Sequence, residues 1–142
     1  MISWTKHPET GVKYFSGTAT YLKEFDLPAG MLGADKVVRL ELGRVKNLAE
    51  VKLNGKDCGV LWKTPFQVDV TDAVRAGKNQ LEVRLTNLWP NRMIGDAGLP
   101  PEKRYTYATW SPYKADSPLL ESGLLGPVQL RSALRLELKA TR

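Results

Sequence analysis

The feature that most limits the fold of this chain is the alternation of apolar and polar residues in several short segments. The clearest example is residues 80–86, where Leu81, Val83 and Leu85 occupy every second position. Successive side chains of an extended strand point to opposite faces, so this segment predicts a strand with one buried and one solvated face. Residues 36–43 alternate in the same way and predict another such strand.

A tight turn is predicted at Asn54 and Gly55, which separate two strand-like segments. Both residues tolerate a positive φ, which the two-residue turn of a β-hairpin requires. The return arm covers residues 56–62, and we expect a β-bulge at Gly59. Trp62, at the end of this arm, is predicted to lie in the core.

Three further segments, residues 17–25, 65–70 and 130–138, have a strand-like composition, and no helix of ordinary length is predicted. Short strands separated by turn residues are typical of β-sandwiches and barrels, and with seven or eight strands two packed sheets are favoured. We therefore predict an all-β fold, a β-sandwich of about eight antiparallel strands. It forms a single domain over residues 17–142, preceded by an N-terminal arm of residues 1–16.

The composition argues against several classes of function. The chain has 142 residues and a net charge of +6, but its Lys and Arg residues are scattered among acidic ones, which argues against nucleic-acid binding. Cys58 and His7 are the only residues of their types, so neither an internal disulfide nor a Cys/His zinc site is expected. No apolar run is long enough to cross a bilayer, and no leader is recognised, so no membrane partner is expected.

The strand at residues 80–86 leads into a segment, residues 87–96, that is unusually rich in large and polar side chains. We interpret it as a loop, in which Arg92 and Asp96 are close enough to pair and Asn91 can hydrogen-bond the main chain. Trp89 offers a flat face to the core or to a ligand. Two interpretations stay open: the loop braces itself, or it contacts a ligand.

Residues 97–121 form a long excursion that is rich in proline and aromatic residues. Long irregular segments within compact domains are often functional. The apolar face of a ligand can stack on an aromatic ring, while polar side chains fix the orientation of the ligand. Trp110 is the best candidate for stacking, although Trp89 and Trp110 can instead pack beneath the loop. The predicted ligand-binding residues are Trp89, Asn91, Arg92, Asp96, Tyr105, Tyr107, Trp110 and Tyr113.

The order of motifs resembles a known group of modules. The strand at residues 17–21, the hairpin at residues 49–55 and the pair Pro65-Phe66 resemble the galactose-binding-domain-like jelly rolls that accompany glycoside hydrolases, including the sugar-binding domain of family 2. The segments at residues 87–96 and 122–128 are similar to the C-terminal sandwich of family 106 α-L-rhamnosidase-like enzymes. The resemblance covers roughly Gly17 to Leu130.

This resemblance implies a module of a larger bacterial glycoside hydrolase that is secreted or periplasmic. Its partners would be a carbohydrate, such as a plant polysaccharide or oligosaccharide, and the catalytic domain of the parent enzyme. No cofactor is expected, although sandwiches of this type allow a structural calcium ion. No catalytic barrel is present, so we expect no hydrolysis by this chain itself. The predicted function is a non-catalytic carbohydrate-binding module, and the alternative is a structural domain that docks on the catalytic domain.

Overall fold

The computed structural model describes residues 1–136, which form nine strands and two short helices. The helices are α1 (Thr10–Lys13) and α2 (Pro90–Ala97). The strands are β1 (Thr18–Leu27), β2 (Lys36–Glu41), β3 (Arg44–Lys46), β4 (Leu48–Leu53), β5 (Lys56–Leu61), β6 (Gln67–Asp69), β7 (Gly77–Thr86), β8 (Gly123–Gly126) and β9 (Gln129–Leu134). Single 3-10 turns occur at Trp4–Lys6, Ala29–Met31 and Pro101–Lys103. The part of the last predicted strand beyond residue 136 lies outside the described residues.

The strands form a sandwich of antiparallel sheets, which confirms the predicted fold class. One sheet has the order β1-β7-β4-β5, a second has the order β6-β2-β9, and β3 pairs with β8. Both larger sheets contribute to a single apolar core. The core includes Val38 and Leu40 of β2 together with Val51 of β4 and Val83 of β7, each at most 2% exposed.

The alternation in the sequence corresponds directly to burial. In β7, Leu81, Val83 and Leu85 are buried, whereas Glu82 and Arg84 lie on the outer face. This pattern arises because β7 lies between β1 and β4, so its inner face is covered by the opposite layer while its outer face meets solvent. The predicted strand at residues 80–86 is confirmed, and it extends back to Gly77.

The hairpin prediction is also confirmed. Asn54 and Gly55 both have positive φ, 52° and 81°, and connect β4 to β5. The Asn54 side chain donates to the Ala73 carbonyl oxygen at 2.8 Å and accepts from the Gln80 amide at 2.9 Å. The pairing of β4 with β5 shifts next to Gly59, where the bulge was expected.

The prediction that Trp62 lies in the core is wrong, because its side chain is 68% exposed. Trp62 follows β5 and has the same parity as Val60, which pairs with Glu50 on the outer face and is 52% exposed. Aromatic character favoured burial, but the period of two along the strand decides which face the ring takes.

The N-terminal arm packs against the sandwich. The Trp4 ring stacks on Tyr21 of β1, with 6.5 Å between the ring centroids, and its Nε1 donates to the Tyr21 hydroxyl. Ser3 is buried and exchanges two hydrogen bonds with the Ser122 main chain, at 3.0 and 3.2 Å. The N-terminal part of the arm, at Ser3, therefore lies beside the segment that precedes β8.

Within residues 1–136, neither helix has the length and apolar character needed to span a membrane.

Candidate ligand-binding surface

The segment after β7 contains a helix where a loop was predicted. Pro90 occupies the first turn of α2, a position where its missing N–H breaks no helical bond and its fixed φ is favourable. Arg92 and Asp96 stand one helical turn apart, and Arg92 Nη2 lies 2.8 Å from Asp96 Oδ1. The predicted ion pair is therefore present. Eight residues are too few for an apolar period to be recognised in the sequence, and the helix-start signal of Pro90 was the available clue.

Asp96 connects α2 to the long excursion that follows it. Its side chain is buried, and Oδ2 accepts hydrogen bonds from the Thr106 amide at 2.8 Å, the Thr106 hydroxyl at 2.7 Å and the Tyr105 amide at 3.0 Å. Burial by itself raises the pKa of this carboxyl, but the hydrogen bonds from Thr106 and Tyr105 and the charge of Arg92 together lower it below its ordinary value. Asp96 is thus held as an anion inside the protein.

Two asparagines fasten the ends of the same region. Asn91 is buried and exchanges a pair of hydrogen bonds with the Leu120 main chain, at 2.7 and 2.9 Å. Asn87 donates to the Phe15 carbonyl oxygen at 2.8 Å and accepts from the Gly17 amide at 2.9 Å. The polar residues of the segment therefore brace the structure internally, which was the first of the two interpretations left open by the sequence.

Arg92 lies between two tyrosine rings. Its guanidinium carbon is 4.9 Å from the centroid of Tyr105 and 5.8 Å from that of Tyr14, which is the geometry of cation–π contacts. Gly95 provides the space for this arrangement, since a Cβ at that position would lie 2.7 Å from both Arg92 Nη2 and Tyr14 Cγ. The arm, the helix and the excursion meet at this point.

The aromatic side chains of the excursion face solvent. The exposed fractions are 82% for Tyr105, 89% for Tyr107 and 76% for Trp110, and Trp89 at the start of α2 is 64% exposed. Tyr113 is half-buried. Packing of Trp89 and Trp110 beneath the loop is therefore not what the structure shows. These rings offer their faces to a ligand or to another protein surface.

Two concavities are lined by aromatic residues of the excursion. The larger, of about 710 Å³, is bounded by α1 and the arm on one side and by Arg92, Lys103, Arg104 and Tyr105 on the other. We call it the Tyr105 groove. The smaller, of about 340 Å³, is lined by Arg104, Thr106, Ser111, Tyr113 and Lys114, among others. We call it the Tyr113 cavity.

The structure thus separates the predicted site residues into two groups. Asn91 and Asp96 are buried and hydrogen-bonded within the protein, and Arg92 is mostly buried between rings. The exposed group consists of Trp89, Tyr105, Tyr107 and Trp110, with Tyr113 half-buried. The sequence reasoning missed four basic or aromatic residues that line the concavities: Tyr14, Lys103, Arg104 and Lys114. Lys103 and Arg104 form the only adjacent basic pair of the chain, which was the signal available for them.

The residues present do not fit a metal site built from side chains. Among residues 1–136, no group of three or more His, Cys, Asp or Glu side chains could hold a metal ion. The structural calcium that the family resemblance allows stays a prediction. Comparing thermal unfolding with and without a chelator would reveal it.

The class that the fold and this surface define is an antiparallel β-sandwich that displays exposed aromatic rings on one long excursion. Comparison with known proteins identifies its family. Residues 5–111 match the family model "Glycosyl hydrolase 2 galactose-binding domain-like". The chain belongs to this family of domains, which is found in glycoside hydrolases.

Individual relatives support the same assignment. A protein of Formosa agariphila, provisionally named a β-glucuronidase, is 43% identical over 90% of this chain and 13% of its own length. The solved structure of a rhamnosidase from Novosphingobium sp. PP1Y has a TM-score of 0.86 and 43% identity, over 93% of this chain and 12% of that one. A β-glucuronidase from an uncultured Clostridium sp. has a TM-score of 0.55 and 27% identity, over 61% of this chain and 15% of its own. This chain therefore spans only a small part of each relative.

Proposed function

We propose that this domain is a carbohydrate-binding accessory module of a larger glycoside hydrolase. The observation that carries the proposal is the exposure of Tyr105, Tyr107 and Trp110, each at least 76%, on one excursion beside two concavities. An exposed aromatic ring removes apolar surface from water when it stacks on the apolar face of a sugar, which favours binding. Because the ring is rigid, it loses little conformational entropy when it binds. Arg92 contacts the Tyr105 ring directly, and Asp96 accepts a hydrogen bond from the Tyr105 amide.

Calorimetric titration with neutral oligosaccharides tests the proposal. Saturable binding to the 142-residue chain is expected, and Trp110→Ala is expected to weaken it by about tenfold or more, a loss of about 1.4 kcal/mol, because the substitution removes a large apolar contact area. Trp62→Ala is the matched control, because Trp62 is also exposed but follows β5, away from the excursion. Equal losses in the two variants, or no binding to a broad panel of sugars, would contradict the proposal.

A second candidate function, docking on the rest of the parent protein, is favoured by a separate feature. The sandwich has an apolar opening of about 460 Å³ that is lined by residues of β1 and β9, the edge strands of the two larger sheets. Its lining includes Leu22, which is 65% exposed, together with Phe25 and Leu130. Exposed apolar surface of this kind marks interaction sites. The relatives have several times the length of this chain, which makes the remaining protein the natural occupant.

The two functions are separated by comparing Leu22→Asp in the parent protein and in the isolated chain. If the opening is covered by the parent protein, this substitution lowers the melting temperature of the parent protein by several degrees and changes that of the isolated chain little. Equal effects in both would exclude docking at this opening.

The activity of the parent protein is proposed from its relatives. The rhamnosidase and the β-glucuronidases that resemble this chain indicate a glycoside hydrolase, with the α-L-rhamnosidase type favoured by the higher TM-score. Location outside the cytoplasm remains a prediction of the family resemblance. Fractionation of the producing cells would test it.

A further inference from the structure

We infer that the two concavities on either side of Arg104 bind an acidic saccharide, with the carboxylates of uronic-acid residues near Arg104. The inference rests on the proposed carbohydrate-binding function and specifies the class of sugar. Arg104 lines both the Tyr105 groove and the Tyr113 cavity. A ligand that occupies both concavities would therefore pass over Arg104.

Charge on this surface is predominantly positive. Lys103 and Arg104 line the Tyr105 groove, and Lys114 lines the Tyr113 cavity beside Arg104. The carboxylate that opposes them in the groove is Glu102. Asp96 also lines the cavity, but its carboxylate is committed to Arg92 and to the hydrogen bonds from Tyr105 and Thr106. The surface therefore retains an excess of cations that can receive an anionic ligand.

The positions of the cations suit a carboxylate. Arg104 Nε donates to the Leu99 carbonyl oxygen at 2.8 Å, which fixes the guanidinium at the boundary between the two concavities. Its terminal nitrogens can then form paired hydrogen bonds with a carboxylate, the interaction for which a planar guanidinium is suited. A neutral sugar would leave this charge without a partner.

Aromatic rings lie beside these cations in both concavities. Tyr105 is 82% exposed and rests on Arg92, and Tyr113 is half-buried in the wall of the cavity. A ring beside a cation can recognise a uronic acid by two interactions. The apolar face of the sugar stacks on the ring, and the carboxylate forms an ion pair with the cation. Two such pairs in succession fit an oligomer better than a single sugar.

The test compares acidic trisaccharides with their own methyl esters. Trimers of galacturonate, mannuronate and guluronate, and the corresponding methyl esters, are titrated into the 142-residue chain by calorimetry. Esterification removes the charge and preserves the stereochemistry of the sugar. At least one acid is expected to bind about tenfold or more tightly than its ester at low ionic strength, with the difference reduced as salt is raised towards about 1 M.

Matched variants separate a site from general attraction to a basic protein. Lys103→Gln/Lys114→Gln is expected to weaken binding of the acid about fivefold or more and to leave binding of the ester nearly unchanged. Lys52→Gln/Lys78→Gln removes the same charge outside the two concavities and is expected to have little effect. If the two double variants lose affinity equally, or no acid binds better than its ester, the inference is overturned. If the esters still bind, the proposed carbohydrate-binding function is retained. If no sugar binds at all, both that function and the uronic-acid inference are contradicted.

Discussion

Asp96 has the properties of a site residue in the sequence and those of a structural residue in the fold. A carboxylate between an arginine and several aromatic residues is a reasonable candidate for sugar recognition. In the folded protein its Oδ2 atom receives three hydrogen bonds, and its Oδ1 atom lies beside the Arg92 guanidinium. Its contribution to any ligand contact is therefore to hold Tyr105 and Thr106 in place.

The stability of the protein should depend on pH through this carboxyl. Because the pKa of Asp96 is lowered in the folded state, its stabilisation is present above the unfolded value of about 3.9 and is lost as the pH falls through the folded-state pKa. Asp96→Asn is expected to lower the free energy of unfolding by about 2–4 kcal/mol at neutral pH, since it leaves donors unpaired and Arg92 without its partner. Urea unfolding at several pH values measures both effects.

The difference between wild type and Asp96→Asn should shrink as the pH falls below about 4. Asp72→Asn is the control, because Asp72 is exposed and its loss should change stability by less than about 0.5 kcal/mol. A difference that stayed constant across the pH range would show that the charge of Asp96 is not what stabilises the excursion.

Gly95 is required for space rather than for an unusual φ. Gly95→Ala would improve helix propensity by up to about 1 kcal/mol, but its methyl group would meet Arg92 and Tyr14 at 2.7 Å. We expect a net loss of about 1–3 kcal/mol, as for overpacked sites. Gly98→Ala is the matched control, since its Cβ would make only an ordinary contact of 3.5 Å with Ala115. A more stable Gly95→Ala protein would refute this account of the Arg92 packing.

At the scale of elements, α2 connects parts of the chain that the sheets do not. Arg92 packs on Tyr14 of the arm, Asp96 holds residues 105–106, and Asn91 holds the main chain at Leu120. A helix of eight residues is marginal by itself in water, so these contacts stabilise the helix as much as the helix positions them. The excursion is therefore anchored at both ends although much of it is irregular.

The attachment of the arm can be tested at Asn87. Asn87→Ala leaves three groups without their partner, namely the Phe15 carbonyl oxygen, the Gly17 amide and the Ser122 hydroxyl. We expect a loss of about 2–3 kcal/mol. Hydrogen exchange of residues 1–16 should accelerate more than exchange of β4. Gln67→Ala, an exposed amide in β6, should change neither. Uniform acceleration across the chain would mean that Asn87 stabilises the whole sandwich and not the arm in particular.

Seven of the nine described strands could be predicted, but the short strands β3 and β8 and the helix α2 could not, for a physical reason. Leu81, Val83 and Leu85 repeat with the period of a strand, and Asn54-Gly55 has the local conformational preference that its turn needs. Formation of α2 depends instead on partners that are far away in sequence, such as the Leu120 main chain that Asn91 contacts. Sequence pattern identified Arg92 and Asp96 as a pair, but only the fold shows that their polar atoms point inward. The exposed position of Trp62 follows from the parity of β5, whereas that of Trp110 depends on the fold of the excursion, which the sequence pattern does not specify.

At the scale of the whole molecule, the lack of hydrolysis by the 142-residue chain stays a prediction. Glycoside hydrolysis requires two carboxyl groups across the scissile bond, and the general acid needs a raised pKa. Among residues 1–136, Asp96 is the acidic residue that is buried, and its pKa is lowered. The partly exposed pairs of Glu50 with Arg84 and of Glu41 with Arg131 lie on strand surfaces.

We therefore expect no hydrolysis of nitrophenyl rhamnosides or glucuronides by the 142-residue chain at any pH where it is folded. Release of nitrophenol, followed by absorbance against a heat-unfolded control, is the measurement. Glu121, a carboxylate of the excursion that pairs with Arg44, is the other candidate for substitution. A rate above that control, abolished by Asp96→Asn or by Glu121→Gln, would show that an active site is present in this domain after all.

The position of Arg92 between Tyr14 and Tyr105 has a practical consequence for protein engineering. The excursion cannot be transplanted to another sandwich by moving residues 97–121 alone. Its Tyr105 ring packs on the Arg92 guanidinium, and that guanidinium also contacts Tyr14 of the N-terminal arm. A graft that carries both segments, together with α2, is the smallest portable unit.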